Sequence, residues 1–560
     1  MKSSDINKIY FFTLFLHCAA FAQDWTRDTE VVAARENIYQ LELEKFQKKV
    51  QDGRRVALFY PVTVSDLLIP YRPLETFFNS DPHDPIRKLI YQMVRSVSPF
   101  KSMGDLYEWL GVHDFPENRQ EENPNPWPEL SVNEQSLPMG ATLIETPDGE
   151  ALTFGCAACH SADLFGVKVL GLTNRFPRAN EFFRNGQLVA PYVNSFIFKD
   201  VLKTTEGERQ ILLKAKKATQ WVGTKKPVVL GLDTSLAQVA LSLAKREEDD
   251  YATRTLSSAK NPRPNKLSTM VADSKPAVWW NVKYKNRWLS DGSIVSGNPV
   301  HTNFLWNEIG RGTDLKKLEK WMDESHEQIE ALTAAVFASK PPRYEKFFGV
   351  ESIDLEKAKR GQRHFVQSCQ KCHGTYEKGW DQPLAFTKNK LNQIQTIKVT
   401  YHKKTPVIDV GTDPGRYLGM KEFSNDLNRL QISKNLNAIV EPQKGYVPPP
   451  LDGIWARWPY FHNNSIPNLC ELLTPSLTRI KTYYAGKAID KKTDYDQDCL
   501  GYPTGEKTPV TWTQNPEYLY DTNKEGLSNS GHDERIFIKD GKEIYTTTEK
   551  KELIEFLKTL

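Results

Sequence analysis

The chain has 560 residues with 74 Lys+Arg against 70 Asp+Glu, a formal net charge of +4. Such a balance gives no support to a nucleic-acid partner or a strongly anionic surface, and the length suits two domains or one large core with long insertions. Seven cysteines in so long a chain exclude a disulfide-built scaffold, while 13 Trp, 22 Tyr and 27 Phe supply ample apolar wall material.

In chain order, Lys2 and Lys8 precede an apolar stretch from Ile9 to Phe21 that ends in Ala20-Phe21-Ala22. This is the pattern of a secretory signal peptide over residues 1–22, and its apolar run is short for a membrane span. No later segment is long and apolar enough to cross a bilayer, so the chain is not expected to be an integral membrane protein once the signal is cleaved. Residues 23–140 read as a helical extension ending in an irregular, Pro- and Asn-rich linker from Asp114 to Pro138, a composition that resists helix and strand alike.

Two copies of one pattern then follow, Cys156-Ala157-Ala158-Cys159-His160 and Cys369-Gln370-Lys371-Cys372-His373. C-x-x-C-H is the attachment signature of a c-type haem: both thiols form thioethers to the macrocycle and the histidine becomes the proximal iron ligand. Two covalently bound haem c groups are therefore expected, on Cys156, Cys159, His160 and on Cys369, Cys372, His373. A structural zinc site would need a second ligand pair beside each cysteine pair, and Cys470 and Cys499 are single and far apart. Covalent attachment of this kind takes place outside the bacterial cytoplasmic membrane. With the signal peptide it points to a periplasmic or secreted protein, where Cys470 and Cys499 are expected to form a disulfide.

Asp233 to Ala244 carries apolar residues at helical spacing (Leu236, Val239, Ala240, Leu243), and Leu315 to Phe337 reads as a second helix. Asp354 to Phe365 predicts a helix leading into the second motif. Ile394 to Tyr401 alternates as a strand, with Val407 to Val410 as its returning partner. Thr546 to Glu549 forms a capping box before a final helix bearing Leu553, Phe556, Leu557 and Leu560. The fold class is mainly α: two cytochrome c-like haem domains with long insertions and a few short β-strands, the N-terminal one over 141–345 and the C-terminal one over 346–560.

The stretch Arg457-Trp458-Pro459-Tyr460-Phe461-His462-Asn463-Asn464-Ser465-Ile466-Pro467-Asn468-Leu469 resembles a segment of di-haem c-type cytochromes related to bacterial rubber oxygenases, themselves relatives of the bacterial cytochrome c peroxidase and MauG group. Val410 to Pro414, Ser530-Gly531-His532 and the Trp-rich stretch Pro276 to Gly292 are similar to further parts of that family; the resemblance covers about residues 145–560. It implies His462 as second axial ligand of the C-terminal haem, with Met420 as rival by analogy with the peroxidases. It also implies an open iron at the N-terminal haem, since Ser161 to Val300 contains no histidine.

His301, the first histidine after the first motif, is then a candidate distal acid/base group, with a surface-loop histidine as the alternative. Trp279 and Trp280 are candidates to bridge the two haems for electron transfer, with packing as the alternative, and Arg287 and Arg311 to neutralise haem propionates. Two functions remain open. One is an oxidoreductase that uses peroxide or dioxygen at the N-terminal haem; the other is a non-catalytic electron-transfer cytochrome. The expected partners are a redox partner protein or a small-molecule oxidant.

Overall fold

The structure is a computed structural model. It describes residues 25–560 except 28, 32–34, 81–82, 86–87, 90, 93–99, 118–119, 190–198 and 200–201; the signal-peptide segment 1–22 lies outside the described residues. Helix makes up 43% of residues and strand 10%, the strands lying in small sheets, so the chain is mainly helical as its sequence predicts.

Helix α1 (Leu43–Phe59) from the N-terminal extension packs along a helix far down the chain. Gly53 makes the close approach possible, because a Cβ there would stand 1.9 Å from the carbonyl oxygen of Ala331. The extension continues through a three-stranded antiparallel sheet, in which β1 (Ile69–Pro70) and β2 (Ala141–Thr146) flank β3 (Gly149–Phe154). The first cysteine motif follows directly and leads into a hairpin, β4 (Ser161–Leu164) with β5 (Val167–Leu170). The first motif thus sits between two β-hairpins, which period-2 alternation in the sequence was too short to announce.

Helices α2 (Ser235–Ala244) and α3 (Pro299–Gly310) pack together. The carboxamide of Gln238 donates to the carbonyl of Gly310 at 3.0 Å, and buried Arg246 donates to the carbonyls of Ile309 and Thr313. These donors satisfy the open carbonyls at the end of α3 and place a cation at its negative pole. The expected helix 315–337 is two helices, α4 (Leu315–Glu324) and α5 (His326–Ala338), separated at Ser325. Ser325 leaves helical geometry at φ −102°, ψ 17°, and its buried hydroxyl lies 3.1 Å from that of Tyr60. This tertiary hydrogen bond supports a break that helical periodicity alone would have bridged.

Helix α6 (Leu355–Ser368) starts at an Asp354 cap and delivers the second motif. The predicted strand appears as β7 (Thr396–Thr400), but its partner is β6 (Thr375–Lys378), directly after the motif. The 407–410 segment forms a single bridge between Ile408 and Tyr446 instead. The capping box is present, with the Thr546 hydroxyl accepting from Glu549 N–H, and starts α7 (Thr547–Lys558). Helices α6 and α7 cross where Gly361 faces the backbone of Glu552; a Cβ at 361 would lie 1.9 Å from that carbonyl oxygen. Phe365 packs on Phe556, and Glu552 joins Arg360 and His364.

Two large apolar cores result among the described residues, beside smaller clusters. One gathers α2 to α5 with Ala57, Leu58, Val62 and Met139 of the extension around Ala157 of the first motif. The other gathers α6, α7 and the aromatic residues from Trp455 to Tyr545 beside the second motif. Neighbouring tryptophans divide between them, Trp279 to the first and Trp280 to the second. Cys470 and Cys499 form a disulfide at a Cα–Cα separation of 5.1 Å.

Candidate functional site

Both motifs fold into the same turn although different elements deliver them. In each, the histidine N–H donates to the carbonyl of the first cysteine at 3.0 Å, His160 to Cys156 and His373 to Cys369. The second cysteine N–H donates to the same carbonyl, at 3.3 Å from Cys159 and 3.1 Å from Cys372. Neither cysteine pair is bridged. Burial pushes the thiols up, to about 11 for Cys156 and about 12 for Cys159 and Cys369.

A continuous cavity of about 600 Å³ is lined by Cys156, Cys159 and His160 at one end and by Cys369, Cys372 and His373 at the other. The first end is walled by Tyr60, Pro61 and Val62 of the extension, by α2 and α3, and by Trp279, whose ring centre lies 5.7 Å from that of His160. Burial lowers His160 to about 4, against an opposing backbone interaction with Ala277.

At the second end, His373 Nδ1 donates to the Pro449 carbonyl at 2.7 Å. That bond fixes the tautomer and leaves Nε2 with its lone pair. The ring centre of His532 stands 6.3 Å from that of His373, at an interplanar angle of 53°. Two imidazoles on opposite sides of one metal, each with a bond of ~2 Å, hold their centres roughly 6 Å apart. Burial keeps both rings neutral, lowering His373 to about 4 and His532 to about 3.

His462 lines the cavity but does not stand across from His373. Its ring stacks on Tyr446 with centres 4.0 Å apart, and its Nε2 lies 3.0 Å from the Tyr446 oxygen. The Tyr446 hydroxyl donates its only proton to the Asp413 carbonyl at 2.5 Å, so Nε2 of His462 must itself be the donor. In this arrangement Nε2 of His462 is engaged by Tyr446. Met420 is fully buried in the first apolar core, and among the described residues no methionine lines the cavity.

His301 points away from the cavity. It senses Glu330, His326 and Asp323, burial lowers it to about 4, and the distal position expected for it is corrected accordingly. The helical register of α3 explains this, since Val300, Phe304 and Glu308 turn to the cavity while His301 turns towards α5. Trp279 lines the cavity; Trp280 does not, and donates its indole N–H to the Asp452 carbonyl at 2.9 Å. Arg311 does line it, donating to the Phe154 carbonyl at 3.1 Å and to Glu308 at 3.2 Å.

Glu308 and a cluster of cations went unnoticed in the sequence. The buried Glu308 carboxylate accepts from the Thr313 hydroxyl at 2.6 Å, and burial raises its pKa. Lys275, Lys285 and Arg457 all line the cavity, and among the described residues none closes an ion pair. Burial and neighbouring cations lower Lys285 to about 7 and push Lys275 down strongly. Lys275 donates to the Arg457 and Pro459 carbonyls and Arg457 to the Pro450 carbonyl, and cations gathered in a cavity without an ion-pair partner are costly unless an anion joins them. The carboxylates of a macrocycle seated in the cavity would be such anions. The free thiol pairs, the lone pair at His373 and this cation cluster fit covalently held haem.

Residues 445–484, which include His462, match the RoxA-like, cytochrome c-like family, relating the chain to the rubber oxygenase cytochromes and supporting covalently bound haem c. Two proteins of Sinorhizobium fredii are also similar, both called uncharacterized: y4iJ, 29% identical over 35% of this chain and 36% of its own, and y4iM, 36% identical over 37% of this chain and 49% of its own. The matched part spans less than half the length of either relative. No helix among the described residues is long and apolar enough to cross a membrane. The chain is thus similar to cytochrome c-like proteins of the rubber-oxygenase kind in the segment that carries Tyr446 and His462.

Proposed function

We propose that the protein is a periplasmic di-haem c-type cytochrome acting as an oxidoreductase, with a reactive N-terminal haem and an electron-transferring C-terminal haem. The observation that carries this reading is an asymmetry between the two histidines: His373 faces His532, whereas no histidine ring stands against His160 among the described residues. Two axial imidazoles suit electron transfer, and an iron with an open position suits binding of peroxide or dioxygen.

In this reading Cys156, Cys159 and His160 hold one haem, and Cys369, Cys372, His373 and His532 the other. Haem iron supplies the one-electron and dioxygen or peroxide chemistry. Lys275, Lys285 and Arg457 would hold the propionates. Trp279 packs beside His160, and Phe304 and Val300 help exclude water from the first end. Glu308, held by Arg311 and Thr313, is the ionisable group of α3 that lines the cavity and would exchange a proton there. The substrate is an apolar alkene if the chain follows the rubber oxygenases, or hydrogen peroxide if it follows the peroxidases.

Electron paramagnetic resonance and visible spectra of the purified protein test the reading. It predicts one high-spin ferric signal that changes on addition of peroxide, and one low-spin signal. Two low-spin signals that ignore peroxide, and a reduced form indifferent to dioxygen, would instead establish the electron carrier.

A further inference from the structure

Consecutive residues from Pro449 to Asp452 are strapped to the second motif through backbone atoms. The Pro449 carbonyl accepts from His373 Nδ1 at 2.7 Å, and the Pro450 carbonyl from Arg457 at 2.8 Å. Leu451 N–H donates to the Tyr376 hydroxyl, which itself donates to the His373 carbonyl at 3.0 Å. The Asp452 carbonyl accepts from the Trp280 indole at 2.9 Å. The strap therefore fixes the Asp452 carboxyl relative to the histidine that would hold iron and the arginine that would hold propionates.

Asp452 is buried, and its Oδ2 has no hydrogen-bond partner. A buried carboxylate oxygen left unpaired is costly, and protonation removes the charge that makes it so. The charged and titratable groups around it are Lys283 and Tyr284 of the Trp-rich stretch, Tyr376 and Lys378 of β6, and Arg457. The cations among them are committed elsewhere. Lys283 Nζ joins Glu36 at 2.9 Å and the Ser339 carbonyl at 3.0 Å, and Lys378 Nζ donates to the Thr396 hydroxyl and the Thr559 carbonyl. Burial outweighs the opposing pull of Tyr284 and the cations, and raises the Asp452 pKa.

We propose that the Asp452 carboxyl is the proton-binding site coupled to reduction of the C-terminal haem. This rests on the electron-transferring role proposed for that haem. One electron from a one-electron donor converts ferric iron to ferrous, and one proton from solvent adds to an Asp452 carboxylate oxygen, so the charge of the site is unchanged. The cause is electrostatic: reduction removes one positive charge beside the strap, the carboxylate loses a favourable neighbour, and its proton is held more tightly. By the reciprocity of linked equilibria, protonated Asp452 makes the haem easier to reduce. Propionates held by Lys275, Lys285 and Arg457 stay ionised instead, because neighbouring cations favour the charged form.

The test is spectroelectrochemical titration of the low-spin haem in the full holoprotein across the neutral pH range. In wild type the midpoint potential should fall as pH rises, by up to about 59 mV for each tenfold fall in proton activity. The isosteric Asp452→Asn should abolish the slope, and Asp452→Glu should keep it. Redox-induced infrared difference spectra of wild type supply a readout that needs no variant: the carbonyl stretch of a protonated carboxyl should appear on reduction and shift in heavy water. A slope retained in Asp452→Asn, a flat wild-type potential, or no carboxyl band on reduction overturns the proposal while the haem remains an electron carrier. A low-spin haem that cannot be reversibly reduced removes that role, and the proposal with it.

Discussion

His373 and His532, 159 residues apart in sequence, face each other with ring centres 6.3 Å apart. His532 sits at a left-handed backbone position, φ +59°, and its N–H donates to the Val410 carbonyl at 2.8 Å. That segment aims the ring, so the facing of the two imidazoles depends on how the C-terminal part folds over the second motif.

Replacing His532 by Ala should turn the low-spin ferric haem of the second motif high-spin. His462→Ala should leave it low-spin, because His462 is held by Tyr446. Paramagnetic resonance of the two variants decides between them: a low-spin signal lost in His462→Ala and kept in His532→Ala would reverse the assignment.

The Cys470–Cys499 bridge closes a loop with a sequence separation of 29. In the chain-entropy model such a crosslink contributes about 3.5 kcal/mol. The double Cys470→Ser/Cys499→Ser variant should unfold at correspondingly lower denaturant concentration while retaining covalently bound haem. An unchanged midpoint would show that the loop is already ordered in the unfolded ensemble.

Gly361→Ala should destabilise by about 1–3 kcal/mol, because the new methyl group meets the Glu552 backbone and must push α6 from α7. At Gly186 a Cβ meets nothing within 4 Å, and Gly186→Ala should be neutral or stabilising. Thermal melts of the pair separate a steric effect from a generic one.

His301 is half-buried and held neutral, lowered to about 4 from 6.5. Between these values the unfolded chain binds a proton that the folded one does not, so this group's contribution is complete above pH 6.5 and is lost as pH falls towards 4. The slope is about 1.4 kcal/mol per pH unit for one histidine. Denaturant titrations of wild type and His301→Asn across this window should diverge by that slope. Parallel curves would show that His301 titrates normally in the folded protein.

The helices at Ser235, Leu355 and Thr547 are legible in the sequence because apolar spacing and caps are local. So is the strand at Thr396, though not its partner: Thr375–Lys378 has too few residues to display alternation, and pairing is a tertiary matter. The break at Ser325 was hidden for a related reason, since the Tyr60 hydroxyl it meets comes from 265 residues away. His462 drew attention through its surrounding motif, yet a motif does not tell which ring nitrogen is free; a hydrogen bond to Tyr446 does. Glu308 and the Lys275, Lys285 and Arg457 cluster look like ordinary charged residues until folding brings them to one cavity.

By itself the sequence determined the attachment chemistry, because C-x-x-C-H places both thiols and the ligating histidine within one turn, a constraint satisfied by five consecutive residues. The tertiary structure decided which histidine faces His373 and which side of α3 meets the cavity. Those depend on contacts between segments hundreds of residues apart, and periodicity and spacing carry no information about them.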